Sequence, residues 1–365
     1  MVKRIVLTGG PGSGKTTIIE KIKTVYESQG IKVVIVPETA TELINSGMSF
    51  FDKGISLVDF QELVLRLQLA KESIADRYTE MNGKDVLVVY DRGTIDNTAY
   101  ISKEEFDVVL KRLGNVTDYG DLFNKYDLVI NLVGRKDFYT TENNAARKED
   151  ADLAIELGEK TLHSWIGHKN LRIVQPKDNF EDKIREVLNI INELLKKEQV
   201  KRQVKYVVDL QKTDVEKIVN IGKKMHIRQI YLESEENVEK RVREIEFNNS
   251  ISYIFSIYRI NSEGKKVLVS ERQIDKKTYD AIIEFKDEEC RVIEKDRYYF
   301  TYEGEYFYLD INDGEKDIGI LEKNIYEKEN IVLPDFVSII EEVSQDINWS
   351  SKRMAQKNEM ELKKK

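Results

Sequence analysis

Between an apolar run, Ile5-Val6-Leu7-Thr8, and a segment of helical pattern opening at Lys15 lies Gly9-Gly10-Pro11-Gly12-Ser13-Gly14-Lys15-Thr16. It matches G-x-x-x-x-G-K-[ST], and nothing else in the chain narrows the fold as much. Such a loop needs a strand to deliver it and a helix N-terminus to receive it. Glycines let successive backbone N–H groups turn to one side, and the helix dipole adds positive potential there. The candidate phosphate and nucleotide contacts are Gly10, Gly12, Ser13, Gly14, Lys15, Thr16 and Thr17. Lys15 has the reach for the outer phosphates of ATP or GTP, and the Thr16 hydroxyl is placed to ligate Mg²⁺, or Mn²⁺ in its stead.

Short β-branched runs at Arg4–Thr8, Lys32–Val36, Asp85–Tyr90, Asp127–Val133 and Leu171–Val174 alternate with helical patterns. This order predicts an α/β domain with a parallel sheet and helices on both faces. Phe180 to Leu195, apolar at Ile184, Val187, Leu188, Ile191 and Leu195, reads as the amphipathic helix that closes it. A basic bridge follows, Lys196, Lys197, Lys201, Arg202 and Lys205, either a solvated helix end or a phosphate contact. Beyond it, from Arg228 to Glu322, period-two stretches such as Tyr253–Arg259 and Arg291–Arg297 predict an antiparallel, β-rich second domain. The expected division is residues 1–198 and 199–360, in keeping with 365 residues.

Lys+Arg 58 against Asp+Glu 66 gives a net charge of −8, which argues against a general nucleic-acid binder and requires any phosphate site to be focal. Cys290 is the single cysteine, so an internal disulfide and a thiolate zinc cluster are both excluded. The start runs straight into the glycine loop and no apolar stretch reaches membrane-span length, so a cytoplasmic protein without a signal peptide or transmembrane segment is expected. Oligomeric state is left open.

Further positions along the first half carry candidate chemistry. Asp91, in Val89-Tyr90-Asp91-Arg92-Gly93, stands at a strand's carboxyl end, where open α/β sheets keep their ligands, and is the expected partner of Thr16 at the metal. Arg92 beside it reads as a phosphoryl or acceptor contact, or as the ion-pair partner of Asp91. Glu38, after the second strand, suits proton acceptance from an attacking hydroxyl and equally suits a first-turn acid at a helix start. Gln61 reads as an acceptor contact or a solvated side chain, and Asp96 as an acceptor contact or a helix cap. The polar stretch Thr140–Lys148 reads as a lid carrying Arg147, or as an exposed loop. Gln175–Phe180 reads as an embrace for a nucleotide base, or as a turn with Asn179 capping the next helix.

The glycine loop with Pro37-Glu38, Phe60-Gln61, Asp91-Arg92-Gly93 and Arg147 resembles P-loop nucleoside and nucleotide kinases. It looks closest to the AAA-type ATPase/kinase-like domain shared with the ribosylnicotinamide kinase part of NadR-type proteins. That resemblance implies Glu38 as base and Gln61 at the acceptor's ring. Those kinases carry an arginine seven positions after the glutamine, where this chain has Gln68.

In the second half, Arg241, Arg243, Arg259, Arg272, Lys295 and Arg297 fall on strand patterns, with Asp310, Glu322 and Glu342 at comparable positions. The pattern fits an anion pocket with metal-binding carboxylates, or the outward charged face of a half-buried sheet. The order of these residues is similar to the CYTH, or triphosphate tunnel, superfamily, which implies an antiparallel barrel-like α+β domain binding a triphosphate-bearing ligand with Mg²⁺ or Mn²⁺. His226, Arg228 and Ile230 stand where its catalytic members have E-x-E-x-K. The pairing of the two domains resembles the TRPL translocation defect protein family, which implies GTP and phosphoinositide binding and peripheral phospholipid contact. The expected function is Mg-dependent nucleotide hydrolysis or γ-phosphoryl transfer to a small acceptor, with a second phosphorylated ligand in the C-terminal domain. A nucleotide-gated binding protein and a C-terminal triphosphatase are the alternatives.

Overall fold

The computed structural model describes residues 1–50, 52–82, 85–114, 118–135, 151–196, 199–200, 203–262, 264–325, 331–344 and 346–356. It forms two compact units, Met1–Leu195 and Lys196–Lys365.

The first unit runs β1 (Val2–Thr8), α1 (Lys15–Ser28), β2 (Lys32–Val36), α2 (Thr39–Asn45), α3 (Leu57–Asn82), β3 (Val86–Asp91), α4 (Lys103–Arg112), α5 (Tyr119–Asn124), β4 (Leu128–Leu132), α6 (Ala151–Trp165), β5 (Leu171–Val174) and α7 (Phe180–Leu195). The strands lie parallel in the order β2-β3-β1-β4-β5. The chain therefore goes from β1 to the edge at β2, returns to β3 beside β1, and then crosses to β4 and β5 on the other side. That reversal opens a crevice beyond the carboxyl ends of β1, β3 and β4.

Helices cover both faces, as the alternation of patterns predicts. On one side Ile18, Ile22 and Tyr26 of α1 and Ile184, Val187 and Ile191 of α7 pack over Ile5, Leu7, Val89 and Ile130. On the other, Tyr126 meets Tyr90 edge to face at 5.1 Å, and Trp165 at the end of α6 stacks on Phe123 at 6.0 Å. Trp165 is fully buried. A Cβ on Gly93 would stand 2.6 Å from its ring, so the turn after β3 is cut to fit it.

The second unit contains β6 (Gln199–Val200), β7 (Gln203–Asp209), α8 (Val215–Ile221), β8 (Lys223–Leu232), β9 (Val238–Phe247), β10 (Ser250–Ile260), β11 (Lys266–Ile274), α9 (Lys276–Ile282), β12 (Ile293–Tyr302), β13 (Glu305–Asn312), β14 (Ile318–Asn324), β15 (Ile339–Glu342) and α10 (Ser351–Ala355). Its strands are ordered β15-β7-β14-β13-β12-β8-β9-β10-β11-β6, and the pairings are antiparallel. Side chains alternate between two unlike faces. One carries the apolar clusters, with Ile218 of α8 on Tyr206, Phe300, Phe307 and Leu321, and Tyr279 of α9 on Ile230, Val242 and Tyr253. The other carries charge. Glu239, Arg241, Lys295, Asp310 and Glu322 of this face are nonetheless buried, so the sheet curls with its charged face inward. Among the described residues no pairing joins β15 to β6, so this barrel-like curl stays open.

Trp165→Ala should cost about 3–5 kcal/mol, because it removes a large buried side chain and leaves a cavity. Chemical denaturation at neutral pH checks this; a loss under 1 kcal/mol would show that the turn after β3 is held by something else.

Candidate functional site

The glycine loop wraps its own lysine. Lys15 Nζ donates to the carbonyls of Gly9 and Gly10, both at 3.0 Å, and is buried. Gly14 sits at φ +92°, with the Phe180 ring 2.6 Å from where a Cβ would stand. A side chain there would meet both backbone strain and a clash. Thr16 and Thr17 are exposed at the mouth of the crevice. Burial, helped by Arg92, pulls the Lys15 ammonium down to about 8 against the opposing pull of Asp91 and Glu38.

Asp91 ends β3 opposite Leu7 of β1 and faces the same cavity. Its Oδ1 is buried without a hydrogen-bond partner, and burial raises its pKa while Lys15 opposes the rise. Arg92 follows at φ +71°, the left-handed region that a side chain normally avoids. From there its Nε donates to Glu38 Oε1 at 2.6 Å, while Nη1 has no partner. The ion-pair reading of Arg92 holds with a changed partner, Glu38 instead of Asp91. Against the upward push of burial, Arg92 and Lys15 hold the Glu38 carboxyl down to about 2, and Thr41 donates to its Oε2 at 2.9 Å. So arranged, Glu38 is a paired anion and no proton acceptor.

The departure at Gln68 has a structural counterpart. Its amide donates to the Arg92 carbonyl and to Glu72 Oε1, both at 3.3 Å. Glu72 in turn accepts from Tyr126 at 2.8 Å and pairs with Lys125 at 2.6 Å. This buried chain supports the left-handed turn at Arg92. Asp96 is likewise spent internally: Oδ1 accepts from Thr8 and from Trp165 Nε1, and Oδ2 accepts the Gly93 N–H at 2.6 Å. It lines the cavity, yet both oxygens are engaged, which corrects its reading as an acceptor contact.

Gln61 is buried on α3 and faces a cavity of about 460 Å³ that runs from Gly12–Thr17 past Asp91 and Arg92 to Ile44, Phe50, Leu57, Phe60 and Val64. The structure therefore brings the phosphate loop, Glu38, Gln61, Asp91 and Arg92 around one space. Two contributors escaped the motif reading. Asn97 lines the cavity with a buried, unpartnered Oδ1. Lys183 of α7 donates to the carbonyls of Ser13 at 3.0 Å and Val133 at 2.8 Å. Asn179 caps the start of α7, accepting from the Glu181 N–H at 3.0 Å. Arg147 and the rest of 140–148 lie outside the described residues.

In the second unit, the inward face gathers Arg241 and Arg243 of β9, Lys295 and Arg297 of β12, Asp310 of β13 and Glu322 of β14. Asp310 accepts from Lys295 and from both Nε and Nη2 of Arg297. Arg243 pairs with Glu271 at 2.9 Å, Glu322 pairs with Lys205 at 3.3 Å, and Glu239 holds Lys266. Arg241 donates to the Tyr258 hydroxyl at 2.9 Å, and the Nε atoms of Arg241 and Arg243 are buried without partners.

Three expected members fall elsewhere. Arg259 and Arg272 are exposed on the opposite face: Arg272 stands across from Phe255 and over its ring, and Arg259 alternates with the inward Tyr258. Glu342 is exposed on edge strand β15, opposite Tyr206 of the apolar face, and accepts from Ser344 at 2.7 Å. The comparison with E-x-E-x-K also shifts. The first long strand is β7, and His226, Arg228 and Ile230 of β8 point to the outward face, with His226 beside Asp296 at 3.0 Å and Arg228 beside Glu294 at 3.2 Å.

Residues 4–183 match the family model AAA_28, described as an AAA domain. The N-terminal unit is an AAA-type P-loop nucleotide-binding domain. Among solved structures, "the crystal structure of the hypothetical protein NE1496" aligns at 19% identity, covering 42% of this chain and 97% of that one, with a TM-score of 0.31. "The crystal structure of the inorganic triphosphatase NE1496" aligns at 20% over 43% and 95%, with a TM-score of 0.30. The PH1819 protein from Pyrococcus horikoshii OT3 aligns at 17% over 34% and 80%, with a TM-score of 0.28. Among the described residues no helix is long and apolar enough to cross a membrane.

The AAA-type domain carries a pH signature. A carboxylate held at about 2 against an ordinary 4.5 contributes stability above pH 4.5 that is lost as pH falls toward 2. Glu38→Gln should remove roughly 2–3 kcal/mol of that acid-sensitive stability. Thermal melting of both proteins between pH 2.5 and 6 tests this; parallel curves would show that the pair with Arg92 contributes nothing.

Proposed function

We propose that the AAA-type domain binds Mg·ATP or Mg·GTP and hydrolyses it or passes its γ-phosphoryl group to a small acceptor. One observation carries this reading. Asp91, Arg92 and Asn97 line the cavity that the phosphate loop opens into, and each carries one buried, unpartnered polar atom, Oδ1, Nη1 and Oδ1 in turn. Buried polar atoms left unsatisfied are costly, and a ligand that completes them recovers that cost.

The loop amides and Lys15 hold the phosphate chain. Arg92 turns from Glu38 to the γ-phosphoryl oxygens, and Glu38, released, takes the proton from the attacking water or acceptor hydroxyl as the bond to the β-phosphate breaks. Thr16 and Asp91 are the residues that would hold Mg²⁺ or Mn²⁺, and the orphaned Asp91 Oδ1 fits that role; such an ion, when bound, would neutralise charge on the phosphates. The apolar half of the cavity, between Phe50 and Phe60 with Gln61 at its side, suits an acceptor with a ring. Arg147 is proposed to close over the phosphates.

The inward face of the second unit is proposed to bind a second phosphorylated ligand, a polyphosphate, nucleotide or phosphoinositide headgroup, through Arg241, Arg243, Lys295 and Arg297. Its carboxylates are already paired with cations, which favours binding without turnover.

Phosphorus NMR with Mg²⁺ and ATP or GTP, with and without a pool of nucleosides, separates the possibilities. A new phosphomonoester establishes transfer, free phosphate establishes hydrolysis, and no turnover over hours leaves a nucleotide-gated binding protein. Lys15→Ala should abolish nucleotide binding with the fold intact; unchanged affinity by calorimetry would sink the reading. An Arg241→Ala/Arg243→Ala variant should bind tripolyphosphate to the second unit at least about tenfold more weakly, as expected for losing two charge-assisted contacts. Wild-type affinity there would remove the second ligand from the proposal.

A further inference from the structure

We propose that Lys183 is a positioning residue that aims the phosphate loop, by holding the Ser13–Gly14 peptide with its carbonyl outward and its N–H toward the cavity. This rests on the reading of Gly9–Thr16 as the phosphate cradle.

The argument begins with the peptide plane. In a trans peptide the C=O of one residue and the N–H of the next point in opposite directions, so fixing one fixes the other. Lys183 Nζ donates to Ser13 O at 3.0 Å and to Val133 O at 2.8 Å, and the side chain is buried on α7. With the Ser13 carbonyl taken by this ammonium, the Gly14 N–H faces the other way. Gly14 is the turning point of the loop, at φ +92° and immediately ahead of α1. Glycine has little intrinsic preference between such orientations, so an outside restraint is needed to select one. From the same helix Phe180 lays its ring against Gly14, so α7 grips this peptide at two points.

The second partner extends the effect. Val133 follows β4, which neighbours β1 in the sheet. One ammonium therefore spans the loop after β1 and the chain leaving β4, and a buried cation behind the cradle adds to its positive potential. Lys15 shapes the front of the loop through Gly9 and Gly10, and Lys183 shapes its back through Ser13.

The test uses the full chain with two probes, Mg·ATP and tripolyphosphate, and three proteins: wild type, Lys183→Met and Lys183→Arg. Both probes are titrated in an Arg241→Ala/Arg243→Ala background, so that the second unit does not mask the loop. Methionine keeps the apolar stem and removes the donors; arginine restores charge and donors. Lys183→Met should weaken both probes by about tenfold, the size of one charge-assisted hydrogen bond, with melting temperatures measured alongside. Lys183→Arg should recover affinity to within about threefold of wild type, which a purely structural lysine does not require.

Wild-type affinity in Lys183→Met overturns the proposal. So does a loss confined to ATP, which would place the effect at the base. If Lys183→Met fails to fold, Lys183→Arg alone decides, and a folded Arg variant with tenfold weaker binding overturns it. Failure of the wild type to bind ATP overturns the cradle reading itself, and is thereby distinguished from failure of the role assigned to Lys183.

Discussion

One buried carboxylate holds the nucleotide crevice in shape. Asp96 accepts from Thr8 at the end of β1, from the Gly93 backbone just past β3, and from the indole of Trp165 at the end of α6. Two neighbouring strands and a helix thus meet on a single side chain at the point where chain direction reverses. The turn it fixes leaves Asp91 and Arg92 facing the loop, and the left-handed backbone at Arg92 persists because Gln68 also holds its carbonyl. A strained residue over-determined on both sides is the expected construction of a working site.

The two units bury charge in different ways. In the first, polar atoms are left without partners at the cavity wall, and the cations nearest them, Lys15 and Arg92, lean on carbonyls and on Glu38. In the second, the buried carboxylates among the described residues, Glu239, Asp310 and Glu322, lie against cations, and the unpartnered atoms include arginine Nε groups. Leaving one partner of such a pair uncompensated is strongly unfavourable, so the face has reason to keep its cations pointed inward with or without an anion present.

Much of the first unit is legible in the sequence. Period and β-branching located the five strands to within a residue or two, and the helix Phe180–Leu195 falls where its apolar spacing puts it. The loop and its lysine were legible because the motif states a mechanism. Lys183 was not, since a lone lysine early in an amphipathic helix normally reaches solvent. The available clue was its spacing of four and eight from Val187 and Ile191, which sets it on the buried stripe. In the second unit, alternation sorted residues into faces within each strand and was silent about which face turned inward. Arg241 and Arg259 both obey a period of two, yet the antiparallel register between β9 and β10 puts them on opposite sides. Glu342 was misplaced for a related reason, as a carboxylate in an edge strand has water beside it whatever its phase.

The burial of Lys15 has a consequence for how binding would look in a calorimeter. With its ammonium brought to about 8, a fraction of the molecules carry a neutral amine in mildly alkaline buffer. A polyanion arriving at that amine favours the charged form and draws a proton from solution. Heat of association then includes the ionisation enthalpy of whichever buffer donates that proton. Affinity for phosphates and acidity of the medium become two readings of one equilibrium, located at the side chain the loop encloses.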